Sequence, residues 1–247
     1  MKIIGVIPAR YGSERFPGKV LQKIGPHTVL ELCYNNAKKN KILDRLIIAT
    51  DSEKIVDEAK RIGAEVMLTS SQCRSGSDRV FEVSRQIESD IFINIQADEP
   101  FMPQSAIEKP VSFMVSDKSI LCATAITKIR NMEELYNPNI TKVVFDKNGF
   151  ALYFSASVIP YPRAYQSIKE AFDSNILFYK HIGLYSYRKS FLDIYNKMPT
   201  ENLERLEKLE QLRIMENGYK IKVVIVEQDS VSIDTLDDLK KVNTLEL

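Results

Sequence analysis

Five short apolar runs separated by helical stretches constrain this chain more than any other feature. The runs cover residues 2–8, 45–50, 65–68, 91–96 and 121–126, and most are rich in β-branched side chains. Unbroken rather than alternating apolar character marks strands buried on both faces. Between them, residues 29–40, 51–62 and 103–116 read as helices, with Gly63 as a left-handed cap after the second. Ser77 is expected to cap a further helix running through Glu88. Such alternation builds βαβ units with right-handed crossovers. The expected fold class is therefore α/β, a doubly wound, largely parallel sheet covered on both faces.

The rhythm changes after about residue 130. Residues 141–145 and 150–154 flank a turn at 146–149, a hairpin signal. The proline-rich 159–163 stretch and its continuation to about 178 read as a projecting loop, and 181–187 alternates again as a strand. Thr200 is expected to cap a helix on which Leu203, Leu206, Leu209 and Leu212 form one apolar stripe. A late core strand at 221–226 precedes a terminal helix beginning at Asp234. The chain thus reads as a single domain, 1–247, with a β-rich insertion at about 130–200.

Bulk properties narrow the function classes. A 44% hydrophobic content over 247 residues supports a core without metal or disulfide staples. A formal net charge of +1 offers no broad field for nucleic acid or acidic lipid. Cys33, Cys73 and Cys122 are odd in number and far apart, so they form neither a disulfide framework nor a CxxC half-site. No run approaches the ~20 apolar residues that span a bilayer. The first apolar run meets Pro8 and Arg10 too soon for a signal peptide. A cytoplasmic protein without membrane insertion is the expectation.

The segment following the first strand carries Arg10, Arg15 and Lys19 with Gly12 and Gly18. In open α/β sheets ligands sit beyond the carboxyl ends of strands. Arginine grips phosphate with two parallel bonds, lysine adds a mobile charge, and glycines let backbone N–H groups approach an anion. The spacing is neither a Walker A loop nor a dinucleotide fingerprint. Taken alone, the segment also suits a solvated basic turn. Asp98 directly follows the fourth strand, where a carboxylate can hold Mg²⁺ against a phosphate. Asp234, after the late strand, can reach the same rim. Each aspartate by itself serves equally as a turn former or helix cap.

Further motifs add a family. IPARYGSERFPGK at 7–19, ATD at 49–51, SGSDR at 75–79, NIQADEP at 94–100, NPNITKVVFD at 137–146, ALYFSAS at 151–157, KHIGLYSYR at 180–188, LEKLEQLR at 206–213 and VSIDTLDDL at 231–239 stand in order along the chain. With them the sequence resembles the CMP-sugar-acid synthetases, most closely the 3-deoxy-manno-octulosonate cytidylyltransferase family. The resemblance implies a nucleotide-diphospho-sugar-transferase-like fold that joins CTP to a 3-deoxy-octulosonic acid (Kdo), for lipopolysaccharide biosynthesis. It implies Mg²⁺ held by Asp98 and Asp234, and triphosphate held and polarised by Arg10 and Lys19 with Arg15 assisting. Ala9 backbone groups, Ser75, Gly76 and Gln96 would hold the cytidine. Arg163, His181, Tyr185, Glu210 and Gln211 would form the sugar pocket, and the insertion would contribute to a homodimer interface. Without the resemblance, His181 suits a half-buried strand residue, Tyr185 ordinary packing on the same strand face, Glu210 and Gln211 a solvated helix face, and Ser75–Gly76 a simple turn.

The sequence also departs from the family pattern. Cys73 stands where the family usually has histidine, and Ala97 where it usually has glycine. A thiol is a weak donor and weak acceptor, so it does not replace an imidazole. Acceptors kept open are Kdo, its 8-amino analogue (8-amino-3,8-dideoxy-manno-octulosonate), and the sialic acids of related CMP-sugar-acid synthetases. A sugar-1-phosphate nucleotidyltransferase and a non-catalytic nucleotide-sensing regulator of the same fold are the wider alternatives.

Overall fold

The computed structural model describes residues 1–12 and 16–244. The amino-terminal half runs β1 (Ile3–Pro8), the short β2 (Lys23–Ile24) and β3 (His27–Thr28), α1 (Val29–Lys38), β4 (Arg45–Thr50), α2 (Glu53–Arg61), β5 (Glu65–Leu68), α3 (Gly76–Gln86), β6 (Ile91–Asn94) and α4 (Gln104–Ser116). The second half runs β7 (Cys122–Lys128), α5 (Met132–Tyr136), β8 (Lys142–Phe145), β9 (Ala151–Ser155), α6 (Ile168–Asp173), β10 (Tyr179–Arg188), α7 (Lys189–Tyr195), α8 (Asn202–Glu207), α9 (Gln211–Glu216), β11 (Lys222–Ile225) and α10 (Leu236–Thr244).

The main sheet has the order β11-β7-β10-β6-β1-β4-β5. Strand β1 pairs in parallel with both β4 and β6, β4 pairs in parallel with β5, and β7 with β11. Only β10 runs antiparallel within this row, between β6 and β7. The expected α/β class and largely parallel sheet are therefore observed. Consecutive strand residues serve opposite faces, which is why the apolar runs are unbroken. Ile3, Ile7, Ile91 and Ile93 pack on the face covered by α1 and α4, through Leu30, Cys33, Ile107 and Val111. Ile4, Val6 and Phe92 pack on the other face with Val80 and Val83 of α3 and Phe191 and Tyr195 of α7. Each fully buried Ile or Phe contributes about 1.5–3 kcal/mol.

The 141–154 hairpin forms as β8 and β9, and β8 also pairs with the start of β10. Four other expectations are corrected. Helix α3 is capped by Ser75 rather than Ser77: Asp78, three residues on, bonds the Ser75 N–H at 3.2 Å while its own N–H donates to Ser75 Oγ at 3.2 Å. This reciprocal box leaves Ser77 inside the helix, fully buried against the Tyr187 hydroxyl at 3.0 Å. The 200–212 stripe is two helices, because Lys208 adopts a left-handed φ of 55° between α8 and α9. Leu206 is then 72% exposed while Leu212 enters the core. Asp234 stands outside α10, whose start is fixed by Thr235 and Asp238 through bonds of 2.9 and 3.2 Å. The 159–178 stretch contains α6, capped by Ser167, and Phe178 packs with Ile129 and Leu135 in a small core of its own.

Candidate active site

Strands β1 and β6 are parallel neighbours, so the segments leaving Pro8 and Asn94 emerge at the same carboxyl edge. Helix α3 starts there too. A Cβ added at Gly76 would lie 3.0 Å from Asn94 Nδ2 and 3.2 Å from Pro8, so the helix N-terminus sits directly on the two strand ends. A cavity at this junction is lined by Arg10, Lys19, Ser75, Gly76, Arg79, Gln96 and Asp98. The structure thus gathers Arg10 and Lys19, the α3 start and the first carboxylate at one place. Arg15 lies outside the described residues. Ala9 is buried and its N–H is committed to the Ala49 carbonyl at 2.8 Å, which leaves only its carbonyl for a ligand.

Lys19 links the two aspartates. Its Nζ meets Asp98 Oδ2 and lies 3.0 Å from Asp234 Oδ1. The Ile233 N–H donates to the Asp98 carbonyl at 2.9 Å, and this backbone bond holds the Asp234 segment beside Asp98. Burial alone would lower the Lys19 pKa, but the Asp98 and Asp234 carboxylates outweigh it and hold the group above its usual range. The ammonium marks a position where two carboxylates already face one positive charge. Mg²⁺ sites of this type use one or two carboxylates plus substrate phosphates, so the donor set fits. No group of three or more His, Cys, Asp or Glu able to hold a metal occurs among the described residues.

Four of the five expected sugar residues gather beside this site. His181, Tyr185, Glu210 and Gln211 line one cavity together with Ser75, Gly76 and Gln96. Arg163 is exposed on the 159–167 stretch and lines neither cavity. The His181 and Tyr185 rings lie 5.1 Å apart. In a regular strand, residues four apart are separated by roughly 13 Å. Here β10 carries a bulge against β7: Ile182 faces Ala125 and Tyr185 faces Thr124, so two extra residues keep the parity while drawing the rings together. Burial pushes the His181 pKa down to about 3, so the ring is neutral near pH 7. Glu210 precedes α9, and burial raises its pKa against the opposing pull of the Ser75 and Ser77 hydroxyls. It ties the acceptor side to the start of α3.

Several neighbours escaped the sequence reading. Arg79, 4% exposed, pairs with Asp51 Oδ2 at 2.9 Å and donates to Thr69 Oγ1 at 2.7 Å, clamping the ends of β4 and β5 to α3. Its signal was the arginine of SGSDR. Glu99 is buried beside Asp98, and burial pushes its pKa up to about 7. Only its place after Asp98 hinted at it. Cys73 lines the cationic cavity, and burial together with Glu82 pushes its thiol up to about 12, so it stays protonated.

A cationic loop, two convergent carboxylates and a polar pocket at the carboxyl edge of a parallel sheet define a nucleotide-dependent transferase site. The Cytidylyltransferase family model matches residues 4–221. A 3-deoxy-manno-octulosonate cytidylyltransferase of Fusobacterium nucleatum is 44% identical over 243 residues, covering 98% of this chain and 96% of that protein. One of Trichlorobacter lovleyi is 41% identical, covering 98% and 97%. A solved CMP:2-keto-3-deoxy-manno-octonic acid synthetase complexed with CTP superposes with a TM-score of 0.91 at 34% identity, covering 99% of this chain and 98% of that one. A Leptospira borgpetersenii cytidylyltransferase shares the fold, with a TM-score of 0.65 at 17% identity. The chain belongs to the 3-deoxy-manno-octulosonate cytidylyltransferase family. Among the described residues no helix is long and apolar enough to cross a membrane.

Proposed function

We propose that the chain transfers CMP from CTP to 3-deoxy-D-manno-octulosonate, giving CMP-Kdo and diphosphate. The observation that carries this reading is the shared cavity in which His181, Tyr185 and Glu210 stand beside Ser75, Gly76 and Gln96. An acceptor there lies next to a nucleotide whose phosphates reach Arg10, Lys19 and Asp98. The 2-hydroxyl of the acceptor attacks the α-phosphorus in line and diphosphate leaves. Arg10 and Lys19 neutralise charge on the phosphoryl oxygens, where preorganised electrostatics contributes most. Asp98 and Asp234 would hold Mg²⁺, which when bound adds charge stabilisation and lowers the hydroxyl pKa. Ser75, Gly76 and Gln96 hold the cytidine. His181 is neutral and is assigned to sugar binding rather than acid catalysis. No covalent enzyme intermediate forms.

The same reading includes a homodimer and a cytoplasmic setting for lipopolysaccharide precursor synthesis. Exposed Leu152 and Tyr161, 60% and 76% accessible, support a protein partner for the insertion at about 130–200. The 8-amino analogue is kept as a second acceptor, because Cys73 departs from the histidine of the family pattern; the thiol lines the cationic cavity and does not by itself select an amine. The test is diphosphate release from CTP and Mg²⁺ with Kdo and its 8-amino analogue in parallel. Higher kcat/KM with Kdo supports the main reading, and preference for the amine transfers the assignment to that sugar. No release with either sinks both.

A further inference from the structure

We propose that Thr124 is a positioning residue that locks His181 as the Nε2–H tautomer, so that Nδ1 is presented to the acceptor sugar purely as a hydrogen-bond acceptor. The inference rests on the acceptor reading of the His181 cavity given above. Thr124 lies on β7, is fully buried, and its Oγ1 is 2.8 Å from His181 Nε2. The same oxygen meets the Leu184 carbonyl, and the Ile182 carbonyl lies 3.4 Å away.

The bulge explains this geometry. Residues 183 and 184 have no Cα partner on β7, and the Thr124 hydroxyl donates to the Leu184 carbonyl there. A hydroxyl has one proton. If it pointed at His181, the Thr124 lone pairs would face the lone pairs of the Leu184 carbonyl within hydrogen-bonding reach, which is repulsive. The proton therefore goes to Leu184, and Thr124 can only accept from His181. Nε2 must then carry the hydrogen. Because the ring is neutral, Nδ1 holds a lone pair and no proton. No bond from a described residue reaches Nδ1, although the ring is flanked by Phe154 at 5.3 Å and Tyr185 at 5.1 Å.

The consequence is a selection rule. A group that meets Nδ1 has to donate, so a sugar hydroxyl or a protonated amine is accepted and a carboxylate is repelled. The side of the acceptor that carries its carboxylate is thereby steered away from His181.

The tautomer is measured first, without substrate, by ¹H–¹⁵N long-range correlation on protein labelled at histidine. Only His27 and His181 contribute signals, and His27→Gln assigns them. The expected spectrum shows His181 with a protonated Nε2 and an acceptor-type Nδ1. Thr124→Val should shift the population towards Nδ1–H and raise the KM for the sugar about tenfold while leaving the KM for CTP within about twofold. Thr124→Ser, which keeps the hydroxyl, should restore both values towards wild type and guards against a folding defect in the valine variant. An Nδ1–H ring in the wild type overturns the proposal. So does a valine variant with an unchanged tautomer, or one that raises both KM values alike. Absence of turnover with octulosonates would sink the acceptor reading instead, since the tautomer is read in the free protein.

Discussion

Replacing Lys180 by methionine removes a cation that joins three parts of the chain. Its Nζ lies 3.1 Å from Glu134 on α5 and 2.5 Å from Asp229, five residues before Asp234. The lysine side chain is 9% exposed, and the two carboxylates are 21% and 29% exposed. Removing one partner of a buried pair costs about 3–5 kcal/mol, because the other charge is stranded. Both carboxylates here keep some contact with water, which places the expected loss lower, at about 2–3 kcal/mol. Methionine matches the length of the lysine stem, so little of the loss comes from packing. For a chain of this size the melting temperature should fall by about 4–12 °C. Thermal unfolding followed by circular dichroism measures it. The same substitution in a Glu134→Gln, Asp229→Asn background should lose far less, since no stranded charge remains. A fall below 2 °C in the native background (about 1 kcal/mol or less), or equal falls in both, would refute the reasoning.

Three further outcomes are expected. Asp98→Asn should lower kcat by about 10²–10³-fold while leaving the unfolding transition in place, as Lys19 keeps its 3.0 Å bond to Asp234; a loss of activity matched by unfolding would count against the metal role. Gly183→Ala places a Cβ 2.6 Å from Glu99 Oε1, so stability should drop by about 1–3 kcal/mol and recover in part when Glu99 is also made alanine; urea midpoints report both. His181 has a pKa pushed down to about 3 from 6.5 by burial, so below 6.5 the unfolded chain takes up a proton that the native ring refuses. Its contribution is complete above pH 6.5 and is lost on acidification towards pH 3, by about 1 kcal/mol per unit. Between pH 6.5 and 5 the wild type should therefore lose more stability than His181→Gln, and parallel curves would contradict the assigned burial.

The parallel sheet was legible because strands buried on two faces leave an unbroken apolar signature; β4 and β5 match their expected bounds residue for residue. The cationic loop and Asp98 were legible for a related reason, since each follows such a strand. Failures arose where local pattern was overruled by geometry that periodicity does not encode. Four leucines at helical spacing read as one stripe, yet the left-handed Lys208 splits them. Ser77 and Ser75 are equally good caps on type alone, and the choice falls to Ser75 because Asp78 can answer it. His181 and Tyr185 were expected on one strand face, but their closeness comes from a bulge that β-strand alternation cannot reveal. Helical pattern alone gives Glu210 and Gln211 a solvated face, and only the family resemblance assigned them to the pocket, which both line just after the left-handed Lys208.

Phosphorus-31 NMR of the wild-type protein with CTP, Mg²⁺ and Kdo tests the central claim most directly. The expected result is loss of the three CTP resonances with equal growth of one phosphodiester signal and diphosphate, dependent on the sugar. CTP left intact, or consumed to CDP and inorganic phosphate, would contradict transfer of CMP at this site.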